Sequence, residues 1–297
     1  MAATLDAARR AGFDAALAWF LGGMRTVFLQ DANSLAAKPR DLMEILAHLR
    51  SRFPDVERVT SYARAQTVAL RKPADLQALA EAGLDRIHIG LESGSDTVLR
   101  MVRKGATKAQ QIEAGRKAKA AGMEVSEYVM PGLGGRAFSE EHAVETADAL
   151  NQINPDFIRL RSLAIPTQVP LYEDYVAGRF EKCTEVEAAA ETLCFLEHLD
   201  GITSVVKSDH ILNLFGDLEG KLPDDKARMT AILEEFLGMD PESQTLYQVG
   251  RRLGIFGSFR DLRDASRRAP AEAARARFGI TPANVDAVID HIMRTFI

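Results

Sequence analysis

The sequence predicts an α/β protein built on parallel strands, a sheet or barrel with helices packed outside it. Three observations carry this. Short, apolar, β-branched segments alternate about five times with segments of helical periodicity up to residue 165. The connections between them are short. Finally, Leu84–Thr107 passes from a strand of buried character, Arg86–Leu91, through the polar turn Glu92-Ser93-Gly94-Ser95 into a helix at Thr97–Val102. Glu92 therefore stands where a strand gives way to a helix, the end at which α/β folds build their sites.

Taken in order, residues 4–22 place Leu5, Phe13, Leu17, Phe20 and Leu21 at helical spacing, closed by Gly22-Gly23. Arg25–Gln30 is a strand ended by Asp31-Ala32-Asn33. A helix from Pro39 to Arg52 is broken by Phe53-Pro54. Arg58–Ala65 alternates as a strand, and Ala74–Ala82 is a helix with Gly83 as its C-cap. After the Leu84–Thr107 stretch come a helix over 107–121, a strand over Glu124–Met130 and the loop Pro131-Gly132-Leu133-Gly134-Gly135. Ser139 is placed to cap a helix running to Asn151. Phe157–Ile165 is the last clear strand. Beyond it lie helical segments 171–178, 184–200 and 224–238, a short strand at Ser204–Lys207, and short Arg- and Ala-rich helices from Asp240.

Composition narrows the function. At 297 residues and 46% hydrophobic content, the chain can bury one large core or two domains. Net charge is −5 with both signs interspersed, so there is no clear nucleic-acid signal. The longest apolar runs are too short and interrupted to span a bilayer. Few cysteines and no signal peptide point to the cytosol. Cys183 and Cys194 stand apart at a spacing that suits no common zinc or cluster motif, and read as buried thiols.

Right-handed crossovers bring the strand ends to one face. There lie Asp31 and Asn33, Tyr62 and Arg64, Glu92 and Ser93, the Gly132–Gly135 loop, and Arg159 with Arg161. Asp31 and Asn33 can hold an ammonium by charge and hydrogen bond. Glu92 can accept two hydrogen bonds from a ribose diol. Lys104 can pair with a carboxylate. Gly132 and Gly134 let backbone approach a flat ligand. An amino acid joined to a ribose would satisfy all of these groups, and methionine joined to adenosine is such a ligand. His88 inside its strand reads as a core or helix-facing residue. His142 reads as a capping or solvent-facing one, and His210 either faces a substrate or is hydrogen-bonded within the structure.

The order and wording of these motifs resemble the radical S-adenosylmethionine (radical SAM) superfamily. FLQDAN at 28–33 resembles the strand motif that grips the methionine amino group. IGLESGSDTVLRMVRKGAT at 89–107 resembles the ribose motif, YVMPGLGG at 128–135 the glycine motif beside adenine, and NPDFIRLRSLAI at 154–165 the sixth strand. SDHILN at 208–213 and LPDDKARM at 222–229 are similar to a bacterial subgroup described as Fe–S oxidoreductase-like or oxygen-independent coproporphyrinogen oxidase-like. The resemblance implies a partial (β/α)6-type TIM-like barrel over 1–165, lacking its first strand. It implies a family-specific extension over 166–239, and a helical C-terminal appendage follows over 240–297. It implies S-adenosylmethionine at Asp31, Asn33, Glu92, Ser93, Lys104, Gly132 and Gly134, an unidentified substrate, and an electron donor such as a flavodoxin or ferredoxin. It also implies a [4Fe–4S] cluster on Cys-x3-Cys-x2-Cys, at which the cofactor is cleaved reductively to a 5′-deoxyadenosyl radical.

The sequence departs from the family there. It has two cysteines and no such motif, so no metal ligand is assigned in this chain. Either the chain lacks an upstream segment or it is a degenerate member. The alternative function is a non-catalytic SAM- or nucleotide-binding or scaffolding barrel.

Overall fold

Seven strands form one sheet in sequence order, β1 (Thr26–Leu29), β2 (Arg58–Ala63), β3 (Arg86–Glu92), β4 (Glu124–Val129), β5 (Phe157–Leu160), β6 (Val205–Lys207) and β7 (Gly220–Lys221). All neighbours are parallel except β6 and β7, which are antiparallel. This computed structural model describes residues 7–294, so the first residues of the helix predicted over 4–22 lie outside it. Helices alternate with the strands as expected: α1 (Ala7–Leu21), α2 (Pro39–Arg52), α3 (Ala65–Leu70), α4 (Pro73–Glu81), α5 (Asp96–Met101), α6 (Lys108–Ala120), α7 (Ser139–Ile153), α8 (Pro170–Val176), α9 (Glu185–His198) and α10 (Lys226–Leu237). Three more close the chain, α11 (Pro241–Arg252), α12 (Ala265–Arg277) and α13 (Val285–Arg294). The sheet is open, with β1 at one edge and β7 at the other. Among the described residues no helix is long and apolar enough to cross a membrane.

Alternation within the strands separates two faces. Val59, Ile87, Ile89 and Val125 point outward and are fully buried against Leu46, Val68, Leu76 and Ala114 of the helices. Val129, Ile158, Leu160 and Val206 do the same against α7, α9 and α10. That second core continues into Leu246, Tyr247, Phe256 and Phe259, where the Tyr247 hydroxyl donates to Leu214 O at 3.0 Å.

The structure corrects three local expectations. Ser139 is the first residue of α7 and caps nothing; its hydroxyl donates instead to Glu191 Oε2 at 2.6 Å. The strand expected over Phe157–Ile165 ends at Leu160: Arg161 N still donates to Val129 O at 2.9 Å, but Ser162 N donates to the Asn213 side chain, Oδ1, at 2.9 Å. The short helix α3 was not expected: the strand was read to Ala65 and no element was assigned between it and the helix starting at Ala74.

The turn after β3 lies against the backbone of α7. Gly94 N donates to Thr146 Oγ1 at 2.8 Å, and a Cβ on Gly94 would overlap Glu145 O and come within 2.7 Å of Thr146 Cα. Both neighbours are fixed, so the collision has no cheap relief. Gly94→Ala is expected to destabilise the protein by about 1–3 kcal/mol, as overpacked sites do. Urea unfolding of the variant measures this, and an unchanged midpoint would contradict the packing described.

Candidate functional site

At the C-terminal ends of β1 to β4 the inner face of the sheet opens into a pocket of about 780 Å³. Its floor is an aromatic row of Tyr62, His88 and Tyr128, contributed by one strand after another in the inward phase, and Phe28 packs beside Tyr62 and His88 to extend the row. Ring centroids lie 4.8 Å apart for Phe28 and Tyr62, 5.6 Å for Tyr62 and His88, and 5.6 Å for His88 and Tyr128. His88 is thus neither a core nor a helix-facing residue but part of this floor. Burial, then the positive charges of Arg159, Arg86 and Arg161, lowers its pKa to about 4, so it is neutral at pH 7. Its buried Nδ1 has no hydrogen-bond partner among the described residues.

Asp31, Asn33, Glu92 and Lys104 all line this pocket. Glu92 reaches it by an unusual backbone. The pairing of β3 with β4 shifts register between Gly90 and Glu92, and Glu92 sits at φ +60°. Such a conformation costs a non-glycine residue roughly 1–3 kcal/mol and collects at functional sites. It folds the carboxylate back over Gly90, where a Cβ would overlap Oε1, and Lys104 Nζ pairs with it at 3.3 Å. Asp31 is exposed at the mouth. The Asn33 amide is already engaged: Nδ2 donates to Thr67 Oγ1 at 2.9 Å, and Oδ1 accepts from Arg64 N at 3.0 Å. It shapes the rim with its side chain already committed to the protein.

The other three expected residues do not face the pocket. Ser93 is fully buried beneath it, and the Gly132–Gly135 loop turns outward after β4. Gly132 N donates to Glu191 Oε1 at 2.6 Å, and Gly134 packs against Phe138 O and His142. The carboxylate of α9 pulls the loop away from the pocket, so the glycines serve helix packing and border a separate cavity of about 330 Å³ on that side. No spacing in the sequence announces Glu191, because it lies 59 positions from Gly132.

His142 is 1% exposed, which corrects its reading as a solvent-facing or capping residue. Its Nε2 lies 3.0 Å from Met130 O, a pure acceptor, so Nε2 carries the proton. Nδ1 then accepts from the Ser93 hydroxyl at 2.8 Å. Ser93 Oγ in turn accepts from Ser95 N at 3.0 Å, and the Ser95 hydroxyl donates to Glu141 Oε1 at 2.5 Å. One imidazole thereby joins the turn after β3 to the end of β4. Behind the pocket, on the outward phase of β4, Glu127 is fully buried with both oxygens unpartnered among the described residues. Burial raises its pKa well above the carboxylate range, with Lys104 opposing and Glu92 adding to the rise. Sequence reasoning passed over Tyr128, Glu127 and Glu191, although in-phase aromatic residues on successive strands are a legible signal.

Cys183 is buried beside the 330 Å³ cavity behind the glycine loop and Cys194 half-buried on α9. Among the described residues, no group of three or more His, Cys, Asp or Glu side chains is placed to hold a metal ion.

A largely parallel open sheet with a pocket at its strand ends, and an acid on the last residue of β3, defines the class of α/β folds that build their sites at the carboxyl ends of the strands. Residues 4–150 match the family described as Radical SAM superfamily, and the chain is a member of that superfamily. It is 24% identical over 115 residues to a tRNA uridine(34) acetyltransferase from Methanocaldococcus infernus (strain DSM 11812 / JCM 15783 / ME), covering 38% of this chain and 22% of that protein. Its fold is similar to the archaeal Methanocaldococcus infernus Elp3 with an N-terminal deletion, with TM-score 0.52, 14% identity, and coverage of 71% of this chain and 54% of that one. Coproporphyrinogen III oxidase (HemN) from Escherichia coli, described as a radical SAM enzyme, aligns with TM-score 0.46 at 15% identity over 59% of this chain and 40% of that one. The chain thus spans about half the Elp3 structure and about a fifth of the acetyltransferase.

The buried pair behind the glycine loop predicts a pH effect. Burial raises Glu191 from 4.5 to about 7, against hydrogen bonds from Ser139 and Gly132, and lowers His142 from 6.5 to about 4. Their 3.6 Å contact is therefore not an ion pair: the imidazole is charged only below the range in which the carboxyl ionises. As pH rises from 4.5 to about 7, the unfolded chain releases the Glu191 proton first, so this residue's contribution to stability falls across that window. His142 acts oppositely, adding stability as pH rises from about 4 to 6.5. Glu191→Gln keeps the shape and removes one titration. Its melting temperature relative to wild type is expected to climb across the window from 4.5 to about 7, and thermal melts giving a constant difference would refute the assignment.

Proposed function

We propose that this chain binds S-adenosylmethionine at the strand-end pocket, as the core of a radical SAM-type oxidoreductase. One observation supports this above the others: Asp31, Glu92 and Lys104 converge on one pocket of about 780 Å³ floored by aromatic rings. Asp31 is the group for the methionine ammonium, and the Glu92 carboxylate is the acceptor for the ribose diol. Lys104 holds that carboxylate in place from 3.3 Å. The aromatic row offers flat apolar surface to a purine. In this reading the glycine loop supports the site from behind. A cytosolic location and an external electron donor belong to the same reading.

The residues do not fit the iron–sulfur cluster at which the family cleaves its sulfonium. Such a cluster needs three thiolates, whereas this chain has two cysteines and neither lines the pocket. No step through a cluster is assigned to these residues. That observation favours a second reading, a non-catalytic module that binds the same ligand to regulate or scaffold a partner. Both readings share the binding step and part over turnover.

Calorimetric titration with S-adenosylmethionine tests the shared step. Saturable binding at one site is expected, weakened about tenfold or more by Glu92→Ala and by Asp31→Ala, each losing charge-assisted hydrogen bonds. A wild-type chain that binds none of the ligand would refute both readings. Cofactor cleavage under dithionite separates them, since only the oxidoreductase reading calls for it.

A further inference from the structure

A second, smaller cavity of about 400 Å³ opens on the same rim toward β5 and shares Tyr62, Glu92 and Tyr128 with the first. A molecule in one therefore abuts a molecule in the other. The remaining walls are Met130, Arg161, His210, Ile211 and Leu212, with the backbone around Ser162.

The charges around it do not balance. Three cations of the inner face each have a carboxylate of their own: Lys104 with Glu92 at 3.3 Å, Arg86 with Glu124 at 2.6 Å, Lys207 with Glu219 at 2.8 Å. Arg159 and Arg161, by contrast, share the single carboxylate of Asp209. His210 does not alter the sum, since burial and then Arg161 hold its pKa below the ordinary histidine value. One guanidinium charge is left over, and its field reaches the pocket floor, where Arg159 and Arg161 both contribute to lowering the pKa of His88.

Arg161 is the arginine that meets the cavity. Its guanidinium lies over the Tyr128 ring, 4.7 Å from the centroid, which fixes the plane. Its hydrogen bonds to Leu160 O at 3.3 Å and Asp209 Oδ1 at 3.1 Å both leave from Nη1. A planar guanidinium held on an aromatic face is a preorganised receptor for a carboxylate, because little side-chain entropy remains to be lost. Met130, Ile211 and Leu212 supply apolar surface beside it.

We propose that this second cavity holds the substrate, and that the substrate is a carboxylate with an apolar body, received by Arg161. A neutral molecule would leave the surplus charge unmatched and a cation would add to it. The word substrate rests on the larger pocket being the cofactor's seat; carboxylate recognition itself does not.

The probes are naphthoate and its neutral isostere naphthamide, titrated by fluorescence into the full chain, with S-adenosylmethionine titrated separately. Wild type is expected to bind naphthoate about tenfold more tightly than naphthamide. Arg161→Gln is expected to bring the two to near equality, and Arg161→Lys, which keeps the charge but loses the fork, to retain part of the preference. Asp209→Asn frees both arginines and is expected to tighten naphthoate about two- to fivefold. Equal binding of the probes by wild type, or a preference that survives Arg161→Gln, would overturn the inference. Naphthoate selectivity without S-adenosylmethionine binding would instead remove the cofactor reading and leave the carboxylate site standing. Circular dichroism of each variant separates lost binding from lost folding.

Discussion

The turn after β3 is clasped to α7, and the placement of the pocket's acid follows from that clasp. Ser93, Gly94 and Ser95 each bond into it, through His142, Thr146 and Glu141. With the turn held from below, Glu92 is left in a left-handed backbone conformation that few surroundings would maintain. The strain is confined to one residue and compensated by buried hydrogen bonds around it. This is how an α/β fold presents a carboxylate at a strand end without a long, mobile loop.

Behind the clasp the protein tolerates buried polar groups whose titrations oppose one another. Glu191 anchors the glycine loop and is disfavoured as an anion; His142 joins two loops and is disfavoured as a cation. Glu127 adds a third buried group, disfavoured as an anion by burial. Each costs stability that an apolar side chain would not. What Glu191 and His142 supply is direction, since a hydrogen bond fixes the angle of a loop where an apolar contact fixes only its distance. The inner face works differently, with Lys104 paired to Glu92 above an aromatic floor and two arginines sharing Asp209 near β5.

Much of the fold was legible, for a physical reason. Strand and helix periodicities differ, so the alternation over residues 26–160 could be read directly, and α2 falls at its expected bounds, Pro39–Arg52. That Asp31, Glu92 and Lys104 meet at one pocket was legible because parallel crossovers carry every strand end to one rim. The position of the glycine loop was not legible. Glycines at a strand end suggest approach to a ligand, yet here they admit α7 and a carboxylate from α9. The commitment of the Asn33 amide to Thr67 and Arg64 was not legible either.

By itself the sequence determined the order of elements, the parallel sense of the sheet, the rim on which polar groups gather, and the shortage of thiolates for a cluster. These follow from local periodicity, turn chemistry and simple counting. Only the tertiary structure decided which way each strand-end residue faces, that His88 and Tyr128 floor the pocket, that Glu191 captures the glycine loop, and that Arg159 and Arg161 share one acid. Those outcomes depend on partners tens of residues apart, whose meeting is set by packing and leaves no mark in local sequence.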